Sequence, residues 1–298
     1  MARTYPPDVI VLDTDALLHA RFGRGRNSPT LVHAKTYRLG SEAFTAAPVT
    51  PRFVNPAALT DVLRKLRAET GKWEKVSLLL PDSWFRINIV ELPSLPDKDD
   101  EALDVVRWSL KRTIPVPPEQ LRVAYTVLSR SGTTTTVMIL SAMEETVSAI
   151  EAAFRSAGLN VVLIEPLGIN IWNAVALKES AGSTADRLFV YVRDTDFTTA
   201  VFRGDRPLFI RSRNIGPERS VEHEIRLSAG YLRDSLAIDI FASCHVAGEG
   251  GRAIHETLAT EFNTTVRPVN LRDFVESIPP GVQGFEAELT ACTGVFTG

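Results

Sequence analysis

A short motif occurs twice in this chain, and it constrains the fold more than any other feature of the sequence. Val11-Leu12-Asp13-Thr14-Asp15 leads into a segment ending Ala20-Arg21-Phe22-Gly23, and Val192-Arg193-Asp194-Thr195-Asp196 leads into Ala200-Val201-Phe202-Arg203-Gly204. Each copy continues into a third β-branched run, Thr30 to Lys35 in the first and Pro207 to Arg213 in the second. Two units that each open with a strand, an Asp-containing turn and two more strands imply duplication of one unit, although an Asp-Thr-Asp tripeptide is short enough to recur by chance. The 298 residues leave room for two ordinary domains, and 44% hydrophobic with 23% charged content is that of a globular chain.

Between and after the two copies, β-branched runs alternate with helical patterns, which predicts mixed α/β layers. Asn55-Pro56 opens a helix with Leu59, Val62, Leu63 and Leu66 on one face and Gly71 at its end. Strands are expected at Val76 to Leu80 and Trp84 to Glu91, then a helix headed by Asp97, Asp99, Asp100 and Glu101. Ile114-Pro115-Val116-Pro117-Pro118 is a rigid turn, followed by a hairpin around Ser131-Gly132-Thr133, a helix from Glu145 to Gly158 and a strand from Leu159 to Glu165. The small, polar run Glu179 to Thr184 reads as a boundary between lobes. The expected division is 1–75 for the first part of lobe I, 76–166 for an inserted α/β subdomain, 167–185 for a return helix and linker, and 186–298 for lobe II. Lobe II adds a long helix carrying Val221, Ile225, Leu232 and Leu236, a strand from Ile240 to Val246 and a helix from Ile254 to Phe262.

Composition narrows the function classes. A net charge of −3 carries no global footprint for nucleic acid. Cys244 and Cys292 have no chelating or redox spacing, which fits a reducing compartment. The N-terminus lacks a secretory pattern and no window reaches the ~20 apolar residues of a membrane span, so a cytoplasmic protein that meets membranes only through partners is expected. His19, His33, His223, His245 and His255 show no metal-binding pair at helical spacing, and no nucleophile elbow occurs. Glu222, Glu224 and Asp234 read as the solvated face of their helix, and Arg211, Arg213, Arg219, Arg226 and Arg233 as either scattered surface charge or a basic patch for an acidic partner.

The turns are the candidate chemistry. In a duplicated fold facing itself across a cleft, such turns would offer backbone amides to phosphates, but neither has glycine. Asp15 and Asp196 instead add charge that would repel phosphate unless a cation bridges them, or they are ordinary turn-forming residues. Gly248-Glu249-Gly250-Gly251 could hold adenosine or phosphate, or simply form a tight strand-to-helix turn.

Several further stretches carry a family resemblance: Leu79-Leu80-Pro81-Asp82-Ser83, Glu91-Leu92-Pro93-Ser94-Leu95, Val106-Arg107-Trp108, Ile114-Pro115-Val116-Pro117, Glu165-Pro166, Gly230-Tyr231-Leu232-Arg233 and Val246 to Gly251. In this order they resemble the type IV pilus assembly protein PilM family, relatives of FtsA in the actin-like ATPase superfamily. The resemblance implies a duplicated actin-like (ribonuclease H-like) two-lobe α/β fold with an inserted α/β subdomain. It implies a nucleotide site, with ATP and magnesium or with none, at Asp13, Thr14, Asp194, Thr195, Gly248, Gly250 and Gly251. The family's first phosphate loop reads Asp-Ile-Gly and its second Asp-x-Gly, whereas this chain has Asp13-Thr14-Asp15 and Arg193-Asp194-Thr195, which implies degraded phosphate loops. A tail-binding groove between the inserted subdomain and the first lobe is also implied, with Trp108, Ile114, Pro115 and Val116 as candidate contacts, although for Trp108 itself packing in a core is the expected role and a binding anchor the alternative. The implied partners are the cytoplasmic tail of an inner-membrane PilN-like protein and pilus motor or platform proteins, with a homo-oligomer possible and no nucleic acid. The function implied is a cytoplasmic adaptor peripheral to the inner membrane. A slow ATPase whose nucleotide state gates docking, and the cytoplasmic domain of a type II secretion GspL-like protein, are the alternatives.

Overall fold

The computed structural model describes residues 5–40, 43–47, 49–71, 73–179, 184–216, 219–282 and 284–297, so most of the expected linker, at 180–183, lies outside the described residues. The first lobe begins as an antiparallel meander of β1 (Asp8–Leu12), β2 (Ala16–Gly23) and β3 (Thr30–Arg38). A two-residue pair, β4 (Phe44–Thr45) and β5 (Arg52–Phe53), and helix α1 (Pro56–Thr70) lead to β6 (Lys75–Leu80), which runs parallel to β1. A fifth strand, β10 (Asn160–Pro166), joins β6 in parallel to give the order β10-β6-β1-β2-β3.

The second lobe repeats the arrangement. Strands β11 (Asp186–Val192), β12 (Asp196–Arg203) and β13 (Arg206–Asn214) form the meander. Helix α5 (Val221–Leu236) leads to β14 (Ser243–Ala247), and α6 (His255–Glu261) to β15 (Val266–Pro268). The order β13-β12-β11-β14-β15 mirrors the first sheet strand for strand, so the duplication read from the motif is a duplication of topology. Strand β1 is buried along its whole length because helices cover both faces, which is why Val9 to Leu12 read as a continuous apolar run rather than an alternating one.

Between β6 and β10 the first lobe carries β7 (Arg86–Pro93), α2 (Asp99–Ser109), β8 (Leu121–Ser131), β9 (Thr134–Met143) and α3 (Glu144–Ser156). The first four form a separate unit with a three-stranded sheet in the order β7-β9-β8. Its own core contains Leu92, Val106, Leu110, Ile114, Val137 and Ile139. The expected insertion of 76–166 is therefore too wide. Strands β6 and β10 belong to the first lobe's sheet, and Ile150 and Phe154 of α3 share a core with Leu59 and Leu63 of α1. Trp84, expected to start a strand, lies buried in a single helical turn, Asp82–Trp84, that joins β6 to the inserted unit.

Local signals explain most helix ends. The Asn55 side chain accepts a hydrogen bond from the Ala58 amide at 3.3 Å, and Pro56 occupies the first turn, where its missing N–H costs nothing. Just past the end of α3, Gly158 turns the chain with φ +75°, and its lack of a Cβ leaves space for Arg67 of α1 to donate to the Ala157 carbonyl at 2.7 Å.

The lobes are joined through α4 (Leu167–Lys178) and α7 (Glu286–Gly294), which pack on each other between the two sheets. A Cβ on Gly294 would overlap the Asn170 carbonyl, so glycine permits the close approach of the two helices. Trp172 of α4 stacks on Phe202 of β12 with ring centroids 4.1 Å apart. Residues of both lobes, from Val9 and Leu79 to Phe189 and Tyr191, thus share one core with these helices. Each fully buried side chain of this size contributes about 1.5–3 kcal/mol, which fixes the lobes against one another.

Candidate functional site

The two motif turns are built alike, but not in the register that their sequences give. The β1–β2 ladder ends at the pair Leu12–Leu17, and the β11–β12 ladder at Val192–Phe197. The Asp13 amide donates to the Ala16 carbonyl at 2.9 Å, and the Arg193 amide to the Asp196 carbonyl at 2.8 Å. Asp13 therefore corresponds to Arg193, Thr14 to Asp194, Asp15 to Thr195 and Ala16 to Asp196. Aligning the two Asp-Thr-Asp tripeptides is out by one residue, because similarity of letters outweighed strand pairing.

A cleft of about 450 Å³ separates the turns. Asp13, Thr14, Asp15, Thr36 and Arg38 line it from the first lobe, and Arg193, Asp194, Thr195, Gly248, Glu249 and Glu288 from the other side. Arg193 crosses it. Its guanidinium forms an ion pair with Asp13 and lies 3.5 Å from Asp196 and 3.6 Å from Glu288. Burial disfavours its charge, but the ion pair with Asp13 and the nearby Glu288 work against that, and its pKa is raised. Burial pushes the carboxyls of Asp196 and Glu288 upward, with Arg193 pulling both back. Beneath them Asp82 is fully buried; its Oδ1 accepts from the Gly168 amide at 2.7 Å, and burial drives its pKa up to about 6.

The cation that the two acidic turns need is thus a side chain of the protein. Asp196 lies buried next to Arg193, while Asp15 is exposed on the cleft rim. The Thr14 amide donates to Asp13 Oδ1 at 2.6 Å, and the Thr195 hydroxyl to Asp196 Oδ2 at 2.9 Å, so both turns spend these polar groups on themselves. Arg193 stood in the sequence as a departure from a glycine-containing loop; its partnership with Asp13 required the two lobes to be brought face to face.

The glycines have a packing reason. Gly248 has φ +93°, and a Cβ there would overlap the Val192 carbonyl. At Gly250 a Cβ would fall 2.6 Å from Val192 Cγ1, and at Gly251 3.0 Å from Val246 Cγ2. The cluster folds the turn onto the end of β11, directly behind Arg193. Only Gly248 of the three lines the cleft, beside the carboxylate of Glu249. Among the described residues no group of three or more His, Cys, Asp or Glu is arranged to hold a metal ion.

The expected tail-binding residues do not meet in one groove. Trp108 projects from α2 with 67% of its surface exposed, so it is not a core residue. Ile114 is buried in the core of the inserted unit, Pro115 is exposed and Val116 half-buried. The groove between the inserted unit and the first lobe, about 220 Å³, is instead lined by Phe85, Ala124, Leu140, Ala142, Val162 and Ile164, with Arg122 and Glu151 among its polar lining. One wall is β10, the edge strand of the first sheet, which bulges between Val161 and Leu163 and leaves Val162 42% exposed. Arg122 is clamped by Glu144 at 2.6 Å and Glu151 at 3.1 Å, and this pairing pulls Glu144 down to about 2. Sequence reasoning missed these residues because the walls come from strands far apart in the chain.

No family model matches this sequence, and no curated protein matches it. Solved structures do. The PilM-PilN type IV pilus biogenesis complex aligns with TM-score 0.79 at 18% identity, covering 96% of this chain and 96% of that one. A protein of unknown function with an actin-like ATPase fold from Bacteroides thetaiotaomicron aligns with TM-score 0.58 at 12% identity, over 100% and 97% of the two chains. The cytoplasmic domain of EpsL, an inner membrane component of the type II secretion system of Vibrio cholerae, gives 0.53 at 10% identity, over 98% and 94%. The chain has the actin-like fold of these proteins.

Proposed function

We propose that this chain is an adaptor of a type IV pilus or related secretion machine, which holds the cytoplasmic tail of an inner-membrane partner and keeps an ion-pair network where its relatives in fold would hold a nucleotide. The observation that carries the second half is Arg193 lying across the cleft onto Asp13. A triphosphate would meet Asp13, Asp15, Asp194, Glu249 and Glu288 against the two guanidiniums of Arg38 and Arg193. That excess of carboxylates repels a polyanion at close range. Magnesium could offset part of the charge, but Arg193 already pairs with Asp13 and Glu288, which leaves a cation to compete with a guanidinium for them. The residues present do not fit a magnesium nucleotide.

The tail would lie in the groove beside β10. An edge strand with open backbone groups and an apolar facing wall suits an extended segment, with main-chain hydrogen bonds for affinity and alternate side chains for specificity. The likeness to a PilM-PilN complex supports a PilN-like tail as the occupant, and the likeness to the EpsL domain supports a related secretion partner. Calorimetric titration of the purified chain with a synthetic PilN-like N-terminal tail, and separately with ATP and magnesium, tests both halves. Saturable binding of the tail with no heat from millimolar ATP is expected. Tight ATP binding by the wild type would replace this reading with that of a nucleotide-gated adaptor.

A further inference from the structure

A second crevice, about 420 Å³, lies where β7 of the inserted unit meets β13 of the second lobe. Both are the last strands of their sheets, so two strand edges face this gap. Its lining combines the guanidiniums of Arg86, Arg211 and Arg213 with apolar Ile87, Ile114 and Phe209.

Among the described residues, cations outnumber carboxylates there. Glu224, expected on the solvated face of α5, is buried at 1% exposure, with Arg211 at 2.8 Å and Arg219 at 3.3 Å. One carboxylate thus serves two guanidiniums. Arg213 donates to the Ser212 carbonyl at 2.9 Å, and no carboxylate among the described residues lies in ion-pair range of it. Burial and the neighbouring Arg211 both lower the Arg213 pKa, and Glu224 pulls it only part of the way back. A half-buried guanidinium that no described carboxylate reaches within ion-pair range, with Glu224 acting on it only from further away, gains from an incoming carboxylate, because water screens the pair less than on an open surface.

We propose that this crevice binds an acidic, extended segment of a partner protein, with Arg213 pairing to a carboxylate of that segment. The apolar lining and half-exposed Tyr231 at the rim favour a peptide over a bare anion, since they would cover the segment's alternate side chains. The crevice shares only Phe85 with the lining of the tail groove and does not depend on the adaptor reading. Bridging the inserted unit and the second lobe, an occupant would fix these two parts against each other.

The test is fluorescence anisotropy of a labelled peptide alternating Glu and Leu, titrated with the full chain. Saturable binding is expected, weakened roughly tenfold or more by Arg213→Glu, weakened by added salt and unchanged by Ala124→Arg in the tail groove. Circular dichroism checks folding of the variants; should Arg213→Glu not fold, Arg213→Gln is expected to give an intermediate loss. Equal binding by wild type and a folded Arg213 variant, or no saturable binding by wild type, would overturn the proposal. Displacement by inorganic phosphate, at matched ionic strength, as effective as by unlabelled peptide would overturn it in favour of a phosphate site.

Discussion

Asp13 and Arg193 hold equivalent positions in the first hairpins of the two lobes, and they pair with each other across the cleft. Pseudo-symmetry brings the two turns face to face, so an acidic residue in both would set like charges against each other. Arginine in one copy converts that repulsion to attraction and occupies the cleft.

Arg193 is largely buried among Asp13, Asp196 and Glu288, so its loss leaves several carboxylates without a counter-charge. Arg193→Ala is expected to lower the unfolding free energy by about 3–5 kcal/mol, with Asp13→Ala costing less because Arg193 keeps its other partners. Urea titrations of the two variants and the double variant measure this. A coupling energy near zero between positions 13 and 193 would mean that solvent already screens the pair.

Asp82 gives a pH signature of opposite sign to an ordinary salt-bridged carboxylate. Its folded pKa is pushed up to about 6 by burial, while the unfolded chain titrates near ~3.9. The folded state holds the proton more tightly, so this group's contribution is fully present below the unfolded value and is lost as pH rises through about 6. Asp82→Asn, which keeps an acceptor for the Gly168 amide, should raise stability at alkaline pH by about 2 kcal/mol and leave it little changed in acid. Thermal melts of both proteins across this range decide it; parallel profiles would show that Asp82 is charged in the fold throughout.

Gly248 combines a positive φ with a backbone neighbour where a Cβ would stand. Gly248→Ala is expected to cost about 2 kcal/mol or more. At Gly250 the obstacle is a side-chain methyl of Val192, which can shift, so Gly250→Ala should cost less. Chemical denaturation ranks the pair, and the reverse order would contradict the packing account.

Ala124 is exposed and lines the tail groove, so Ala124→Arg should abolish tail binding and leave stability within about 0.5 kcal/mol of wild type. Trp108 lies outside that groove, and Trp108→Ala should leave tail affinity unchanged. Calorimetry on both variants checks the pair. Loss of tail binding on removing Trp108 would move the docking site to α2.

Local chemistry was legible in the sequence where neighbours in the chain decide the outcome. Asn55-Pro56 and Gly158 marked helix ends, and the Ser131-Gly132-Thr133 hairpin joins strands that are adjacent in sequence. The inserted unit's limits were not legible, because β6 and β10 take their place through pairing with β1 and with each other rather than through any local pattern. Glu224 likewise carries a polar letter on an amphipathic helix, and only the approach of Arg211 from β13 accounts for its burial.

The sequence alone determined the alternation of strands and helices, the duplicated unit and the absence of glycine from both cleft turns, since these are properties of short segments. The tertiary structure decided which residues of the two turns correspond, what fills the cleft between them and which walls form the groove. Those depend on contacts between residues far apart in the chain, where a one-residue difference in register exchanges an aspartate for an arginine and reverses the sign of the charge.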